Sequence, residues 1–302
     1  MKLTVGPVLF NWPADRWRDF YARLADEAPV DRVVLGETVC SKRAPFYEAC
    51  VAPAAERLAR AGKEVVLSSL ALVTLPRERA ALADLVANQD HAVEINDIAA
   101  LRYMEAGRAF SVGPLVNVYN ESTLDFLARK GATAVCLPPE LPFASVAPIA
   151  AFARGRGVCA EIWAYGRTPL AISGRCYHAR VHKLSKDSCQ FVCEQDLDGL
   201  DVRTLDDMDF LAINGVQTMS WNYACLIGDI EALALADVDA LRLSPHSGDF
   251  VAVTEIFRRR LNGEISAAAG FERLRALQPD VEFSDGFLAG PTGATPLGGV
   301  PA

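Results

Sequence analysis

The sequence has no run of 18 or more apolar residues, so no segment is long enough to cross a bilayer as a helix. Its first residues, MKLTVGPVLFNWPADRW, lack the extended apolar stretch and the small-residue cleavage site of a secretory signal. We therefore expect a soluble cytoplasmic protein with no transmembrane segment.

An excess of positive charge is also missing. The 302 residues include 30 Lys and Arg against 38 Asp and Glu, which gives a formal net charge of -8. Proteins that bind nucleic acid normally present a basic face to the phosphate backbone. We therefore expect no nucleic-acid partner, although a local basic patch can still bind a small anion.

The common motifs of hydrolases are absent as well. The chain contains no GxSxG nucleophile elbow and no HExxH zinc-binding helix. It also contains no obvious pair of cysteine and histidine for nucleophilic catalysis. These absences argue against a peptidase.

The sequence does contain a repeating order of apolar runs and amphipathic stretches. The runs are LTVGPV near residue 3, RVVLGE near 32, EVVLSS near 64, AVEIND near 92, FSVGPLVNV near 110, TAVCLP near 133, CAEIWAY near 159 and DALRLSP near 239. Most are continuous Val, Ile, Leu and Ala runs, as strands buried on both faces require. Eight such strands alternating with helices predict an α/β fold, a (β/α)8 barrel of the TIM type, with a doubly wound open sheet as the alternative.

The spacing is broken once, by about 75 residues between the seventh and eighth runs, and connections of such length are commonly functional. Within a single domain of residues 1–302, we expect a cysteine-bearing insertion at 174–235. Its acidic, turn-rich part, EQDLDGLDVRTLDDMDFLAINGVQTMS, predicts a small hairpin or subdomain, and NYACLIGDIEALALAD predicts a returning helix. Residues 283–302 are rich in Gly and Pro and predict a flexible C-terminal tail.

Eight cysteines in a cytosolic chain are more often free thiols, ligands or catalytic groups than disulfides. Four of them fall in apolar stretches, where free cysteine is a common core residue. These are Cys50 in a helix, Cys136 and Cys159 in strands, and Cys225 in the expected returning helix.

The other four cysteines lie in polar, loop-like stretches. Cys40 follows the second strand, and Cys176, Cys189 and Cys193 follow the seventh. In a barrel both places are on the C-terminal rim, where the active sites of this fold lie. We therefore expect these four cysteines to converge there as metal ligands.

Four thiolates can hold zinc or an iron–sulfur cluster. The intervals of 135, 12 and 3 intervening residues match neither a zinc ribbon nor a compact ferredoxin run. His178 and His182 can share a helix face, which leaves a mixed Cys/His zinc site as an alternative. Nearby cations favour the ionised thiol, and the same stretch supplies Arg175, Arg180, Lys183 and Lys186.

Three segments resemble the collagenase-like peptidase family: AEIWAYGRTPLAISGRCYHAR, VCLPPELPF and VVLGETVCSKR. The resemblance extends over almost the whole chain and is greatest to members that act in ubiquinone biosynthesis. It implies a 4Fe-4S cluster on Cys40, Cys176, Cys189 and Cys193. It also implies a cytosolic protein that forms a heterodimer with a homologous subunit and hydroxylates ubiquinone precursors without dioxygen. Prephenate is then the oxygen donor, and a lipid-binding accessory protein presents the precursors.

Hydroxylation without dioxygen requires redox chemistry that ordinary side chains do not supply, so a cluster is consistent with the implied activity. Bidentate arginines suit a dicarboxylate such as prephenate. Our candidates for pocket-lining residues, near strand ends, are Glu37, Asp97, Asn117, Glu140, Glu161, Arg167 and Arg175. A scaffold subunit held together by a cluster or by zinc, and a relative that hydroxylates RNA bases, are the alternative functions.

Overall fold

A computed structural model of the chain describes residues 1–290 and 296–297. Its strands are Lys2–Val5 (β1), Arg32–Leu35 (β2), Glu64–Ser68 (β3), Ala92–Ile95 (β4), Phe110–Val112 (β5), Ala132–Cys136 (β6), Cys159–Ile172 (β7), Leu200–Arg203 (β8), Asp209–Asn214 (β9), Gln217–Cys225 (β10), Ala240–Leu243 (β11) and Phe283–Ser284 (β12). Its helices are Ala14–Asp26 (α1), Ala44–Arg60 (α2), Pro76–Ala87 (α3), Glu121–Arg129 (α4), Phe143–Gly155 (α5), Tyr177–Val181 (α6), Ile230–Leu235 (α7), Phe250–Leu261 (α8) and Ala267–Leu277 (α9). Short 3-10 helices lie at Ile98–Arg102, Pro114–Val116 and Val192–Gln195.

Strands β1 to β7 and β11 form a closed parallel barrel. Neighbours in the chain pair in order from β1 to β7, and β11 closes the ring because it pairs with both β1 and β7. Leu241 is opposite Leu3 on one side and Ile162 on the other. The prediction of a (β/α)8 barrel with eight parallel strands is confirmed, and the open-sheet alternative is wrong.

The barrel strands are mainly apolar because both of their faces are covered. The last three residues of β2 are fully buried, as strands between the barrel interior and a layer of helices must be. Helix α1 turns Trp17, Tyr21 and Leu24 inward. Trp17 also stacks on Tyr47 of α2 with ring centroids 4.9 Å apart, which ties the first two helices together.

The long connection after β7 is an antiparallel extension of the barrel wall. Strand β7 continues to Ile172, and β10 runs back along it, with Thr218 opposite Ala171 and Tyr223 opposite Arg167. Strand β9 pairs with both β10 and β8. The expected hairpin is therefore present, and it is anchored to the barrel by the longest strand of the described fold.

The returning helix expected over residues 222–237 is shorter than the sequence predicted. Residues 222–225 belong to β10, and only Ile230–Leu235 is helical. The reason is long-range pairing: Cys225 lies opposite Tyr165 of β7, and such pairing overrides local helix preference. Cys225 is consequently buried in a strand, and burial raises its thiol pKa to about 12.

The fifth apolar run and the C-terminal segment also differ from the sequence-based prediction. Only Phe110–Val112 of the fifth apolar run is extended, because Pro114–Val116 turns into a 3-10 helix. The first residues of the segment expected as a flexible tail pack against the barrel, since Phe283 and Leu288 are buried and β12 pairs with β10. The rest of that expectation falls on 291–295 and 298–302, outside the described residues.

No helix in the described part of the chain is long and apolar enough to span a membrane.

Candidate functional site

The structure brings the four cysteines predicted as ligands to one place on the C-terminal rim. Cys40 lies in the loop after β2, Cys176 caps the start of α6, and Cys189 and Cys193 lie on the connection that follows. All four line one small cavity, which we call the thiol cavity. Its other lining residues are Lys42, Arg43, His178, Ala179, Lys186, Phe191, Val192 and Gly215. Their role as ligands stays a prediction.

The backbone between the last two cysteines is strained. Gln190 and Phe191 have φ values of 49° and 54°, in the left-handed region, where each non-glycine residue costs about 1–2 kcal/mol. Strain of this kind persists only where surrounding contacts hold it, and it concentrates at functional sites. Here it accompanies the turn that presents both Cys189 and Cys193 to the thiol cavity.

Arg43 is a buried cation beside these thiols. Its side chain is about 1% exposed and donates to the Leu9 carbonyl and to Asn214 Oδ1, both at 2.9 Å. No carboxylate among the described residues forms an ion pair with it. Its pKa is nevertheless raised, because Cys193, Glu37 and Cys40 outweigh the effect of burial. A buried cation without a paired carboxylate is costly unless another negative group balances it.

Two lysines add to the positive surroundings of the thiol cavity. Lys42 Nζ lies 3.7 Å from Cys189 Sγ, and Lys186 lines the cavity. Of the four cations that the sequence singled out, only Lys186 reaches it, while Arg175, Arg180 and Lys183 are exposed elsewhere. The sequence reasoning missed Lys42 and Arg43. Their signal was available, because they follow Cys40 directly in VCSKR.

Burial affects the protonation of two of the four thiols. Burial raises the pKa of Cys40 and of Cys176, although Arg43 acts in the opposite direction on both. These thiols are therefore protonated at neutral pH. A bound metal group has to displace those protons, as thiolate ligation requires.

The spacing of the sulfurs helps to choose between a single ion and a cluster. In tetrahedral zinc with Zn–S bonds near 2.3 Å, ligand sulfurs are about 3.8 Å apart. Among the described residues, the one group of metal-binding atoms within 4.8 Å of one another is His178, His182 and Asp196. No three of the four cysteines form such a group. A cluster, in which each thiolate binds a different iron, holds its ligands farther apart, so the donor set fits a cluster better than one zinc ion.

The polar residues predicted to line a pocket are distributed over several places. Asn117 and Glu140 line a rim pocket of about 270 Å³ above β5 to β7. Asn117 has a φ of 63°, which is uncommon outside glycine. Glu140 accepts a hydrogen bond from Tyr119, which also lines the pocket. Burial and this bond raise the pKa of Tyr119 to about 12.

Glu37 organises the loop that carries Cys40. Its Oε1 accepts the backbone N–H groups of Val39 and Cys40 at 2.8 and 2.9 Å, and Tyr47 donates to its Oε2. Burial raises the pKa of Glu37. Glu37 also lines a separate cavity of about 370 Å³ between α2 and α3, which we call the α2–α3 crevice. Its apolar wall consists of Ala44, Val51, Leu70, Val73, Ala81, Leu82 and Leu85.

Three of the remaining candidates have structural partners or face solvent. Asp97 accepts from Ala99 and Val73 and so begins a 3-10 helix. Arg167 donates to the Ser220 and Trp221 carbonyls and pairs with Asp201. Arg175 is exposed. None of the three lines the thiol cavity, the rim pocket or the α2–α3 crevice.

Glu161 lies inside the barrel. Arg242 donates to Glu161 Oε1 at 2.5 Å and also to Glu94. Burial alone raises the pKa of Glu161, but Arg242, Thr4 and Arg32 reverse this and lower it. The sequence reasoning missed Arg242 and Glu94. A charged residue within each otherwise apolar strand, ALRL and AVEI, was the signal.

Comparison with known proteins identifies the family. The model of peptidase family U32 matches residues 17–295. The chain belongs to peptidase family U32. The family expected from the sequence segments is thereby confirmed at this level.

Among solved structures, the U32 chain is similar to an enolase from Agrobacterium radiobacter bound to sodium and L-malate. The identity is 18%, the TM-score is 0.37, and the match covers 54% of this chain and 44% of the enolase. The chain thus matches less than half of that protein, and a likeness at this TM-score carries no argument about function.

Cys40 and Cys176 of the U32 chain lack the features of the catalytic thiol of a cysteine peptidase. No cysteine in the described part of the chain is hydrogen-bonded to a histidine. A nucleophilic thiol requires a lowered pKa or an adjacent base, whereas the pKa of Cys40 and of Cys176 is raised.

Proposed function

We propose that this U32 chain is a UbiV-like protein: the iron–sulfur subunit of a system that hydroxylates ubiquinone precursors without dioxygen. The observation that carries the proposal is the thiol cavity, where four cysteines lie around a buried Arg43 that forms no ion pair with any carboxylate in the described part of the chain. A cluster with four thiolate ligands carries negative charge, which Arg43 balances.

In this proposal Cys40, Cys176, Cys189 and Cys193 hold a 4Fe-4S cluster, which supplies the redox chemistry when bound. The protein's own residues hold and surround it. Arg43 and two lysines offset negative charge, and Glu37 fixes the loop that presents Cys40. Phe191 and Val192 add apolar side chains to the lining of the cavity.

The α2–α3 crevice supports a substrate with an apolar part. Its volume and mainly apolar wall are typical of small-molecule sites. Ser41 lines the crevice and Cys40 lines the thiol cavity, so a single loop separates the two. We propose that the crevice takes the apolar tail of a ubiquinone precursor, delivered by a lipid-binding accessory protein. The oxygen donor in this proposal is prephenate.

An apolar surface on the inserted hairpin supports a protein partner. Leu205, Met208 and Phe210 are exposed on β9 and the turn before it. Exposed apolar groups that cluster in this way are typical of interaction surfaces. We propose that this surface contacts a homologous, UbiU-like subunit in a heterodimer.

A second candidate function is a scaffold subunit. The four cysteines lie on the loop after β2 and on the insertion after β7, so a bound cluster or zinc ion ties these segments together. The thiol cavity is also distinct from the rim pocket above the barrel strands. In this reading the partner subunit performs the chemistry.

The test is quinone synthesis in a strain that lacks the chain. Without oxygen the strain should accumulate under-hydroxylated precursors, while aerobic synthesis by oxygen-using enzymes continues. The wild-type chain and the Cys50→Ala control should restore anaerobic quinone, and Cys176→Ala should not. Equal quinone in the deletion and parent strains without oxygen would remove the assignment. Full rescue by a stable, cluster-free Cys176→Ala protein would show that the cluster is not required.

A further inference from the structure

Two histidines and a carboxylate meet beside the thiol cavity. His178 lies in α6, His182 follows its last turn, and Asp196 follows the 3-10 helix after Cys193. One potential ligand atom from each of the three residues lies within 4.8 Å of the other two. His178 also lines the thiol cavity, but the cluster proposed above takes no ligand from these three residues.

The local geometry suits ligands of one ion. Residues four apart lie on one face of a helix, and the rings of His178 and His182 are stacked, with an interplanar angle of 10° and centroids 5.9 Å apart. His178 Nε2 lies 2.8 Å from Asp196 Oδ2. With metal–ligand bonds near 2.1 Å, two ligand atoms of a tetrahedral site are about 3.4 Å apart, so a small separation of His178 and Asp196 is enough to admit an ion.

The three residues differ in burial, from fully buried to exposed. His178 is about 1% exposed, and its buried Nδ1 has no hydrogen-bond partner among the residues that the structure describes. Asp196 is half-buried and His182 is exposed. The group therefore has one buried ligand and one open side, where water or another ligand can complete the coordination.

We propose that His178, His182 and Asp196 form a second metal site, which binds a borderline divalent cation independently of the four cysteines. Two imidazole nitrogens and one carboxylate oxygen suit Zn²⁺, Co²⁺, Ni²⁺ or Fe²⁺, whereas Mg²⁺ and Ca²⁺ prefer oxygen ligands only. Three protein ligands leave open positions, as in catalytic rather than structural sites. The proposal does not depend on the identity of the group in the thiol cavity.

The experiment is a titration of the full-length chain with Co²⁺ under anaerobic conditions, followed by visible and near-ultraviolet absorption. Thiolate ligands give intense charge-transfer bands with Co²⁺, whereas nitrogen and oxygen ligands give only weak d–d bands. We expect one Co²⁺ to bind with d–d bands alone. Because even loss of a group that only orients a ligand weakens metal binding about 10–100-fold, His182→Ala should weaken this event by about 100-fold or more.

Three variants test whether the bound Co²⁺ is held by these ligands. His182 is exposed, so its replacement should leave the far-ultraviolet circular dichroism unchanged, and Asp196→Asn should reproduce the loss of binding. His91→Ala, remote in sequence, is the matched control and should bind as the wild type does. The proposal is overturned if no Co²⁺ event free of thiolate bands occurs, or if that event survives in His182→Ala. Either result leaves the anaerobic quinone test of the cysteine site unaffected.

Discussion

Arg43 shows how one residue connects the fold to the site. It reaches the Leu9 carbonyl after β1 and Asn214 at the end of β9, so its guanidinium joins the barrel to the inserted strands. Gly215 follows Asn214, and a Cβ there would lie 2.5 Å from Arg43 Nη2. Gly215 also has a φ of 64°, so a larger residue there would be strained and would displace the guanidinium.

The four cysteines of the thiol cavity and the other four should behave differently. Replacement of Cys40, Cys176, Cys189 or Cys193 by alanine should remove or severely destabilise the cluster, because four-thiolate ligation leaves no spare protein ligand. Cys50→Ala and Cys136→Ala are the controls. Visible absorption and counts of iron and sulfide after anaerobic reconstitution provide the measurement. Loss of the cluster in a folded Cys50→Ala or Cys136→Ala protein would contradict this division of the cysteines.

His246 should make stability depend on pH. Burial lowers its pKa from 6.5 to about 4, against the opposing effect of Asp198 and Asp249. The unfolded chain therefore binds a proton that the folded chain excludes, and stability falls as pH drops from about 6.5 towards 4. The loss reaches about 3 kcal/mol. Urea unfolding at several pH values should show this loss in the wild type.

The matched variant is His246→Asn, which removes the titrating ring. Its free energy of unfolding should be lower at neutral pH, since Gly248 N–H and Tyr165 lose their partner. Between pH 6.5 and 4 it should fall less steeply than that of the wild type. Identical slopes for the two proteins would show that His246 does not contribute.

At the scale of elements, the barrel strands combine an apolar exterior with a charged interior. Arg242 on β11 reaches Glu94 on β4 and Glu161 on β7 across the barrel. All three side chains are at most 3% exposed. Such a buried group of charges is stable while all of its members are present. Removal of one member leaves an uncompensated buried charge, which destabilises the protein.

Arg242→Met should therefore destabilise the protein by about 3–5 kcal/mol, because it leaves two uncompensated buried carboxylates. The triple variant Arg242→Met, Glu94→Leu, Glu161→Leu should recover much of the loss, since it removes the charges together. Chemical denaturation of both variants decides the matter. A triple variant less stable than the single one would show that packing, rather than charge, dominates here.

Helices α2 and α3 provide a second prediction at this scale. Ala81→Trp places an indole at the α2–α3 crevice, so it should impair anaerobic quinone synthesis while leaving the cluster absorption unchanged. Ala80→Trp is the matched control, since Ala80 is also exposed and does not line the crevice. The assignment of the crevice fails if both variants support normal synthesis.

At the scale of the whole molecule, the chain returns to the barrel wall after α9. Phe283 lies opposite Tyr223 of β10, and its ring lies 6.1 Å from that of Tyr165. Leu288 is also buried, and its carbonyl accepts from the Phe143 backbone. Residues 283–288 thus join the long strands β7 and β10 to α5.

A chain that ends at Glu282 should consequently be less stable than the full-length chain. Phe283→Ala alone should cost about 3–5 kcal/mol, and the truncation should cost more because the pairing with β10 is lost as well. The midpoint and slope of urea unfolding give the comparison. Full-length stability in the truncated chain would contradict the packing of this segment.

The sequence by itself determined the barrel, the family and the candidate ligands. Continuous apolar runs specify buried parallel strands at short range, and the placement of Cys40 and Cys176 after two of these runs put both on the same rim. These inferences needed only local pattern and the rule that the carboxyl ends of parallel strands share one side.

Only the tertiary structure decided which polar groups meet. The extended form of Cys225 depends on pairing with β7, and the engagement of Arg167 depends on carbonyls of β10. Arg43 became a site residue because Asn214, 171 positions away, accepts its hydrogen bond. The fold of the insertion brings Asp196 next to His178 and His182. Contacts between distant segments depend on the path of the whole folded chain, which local sequence patterns do not specify.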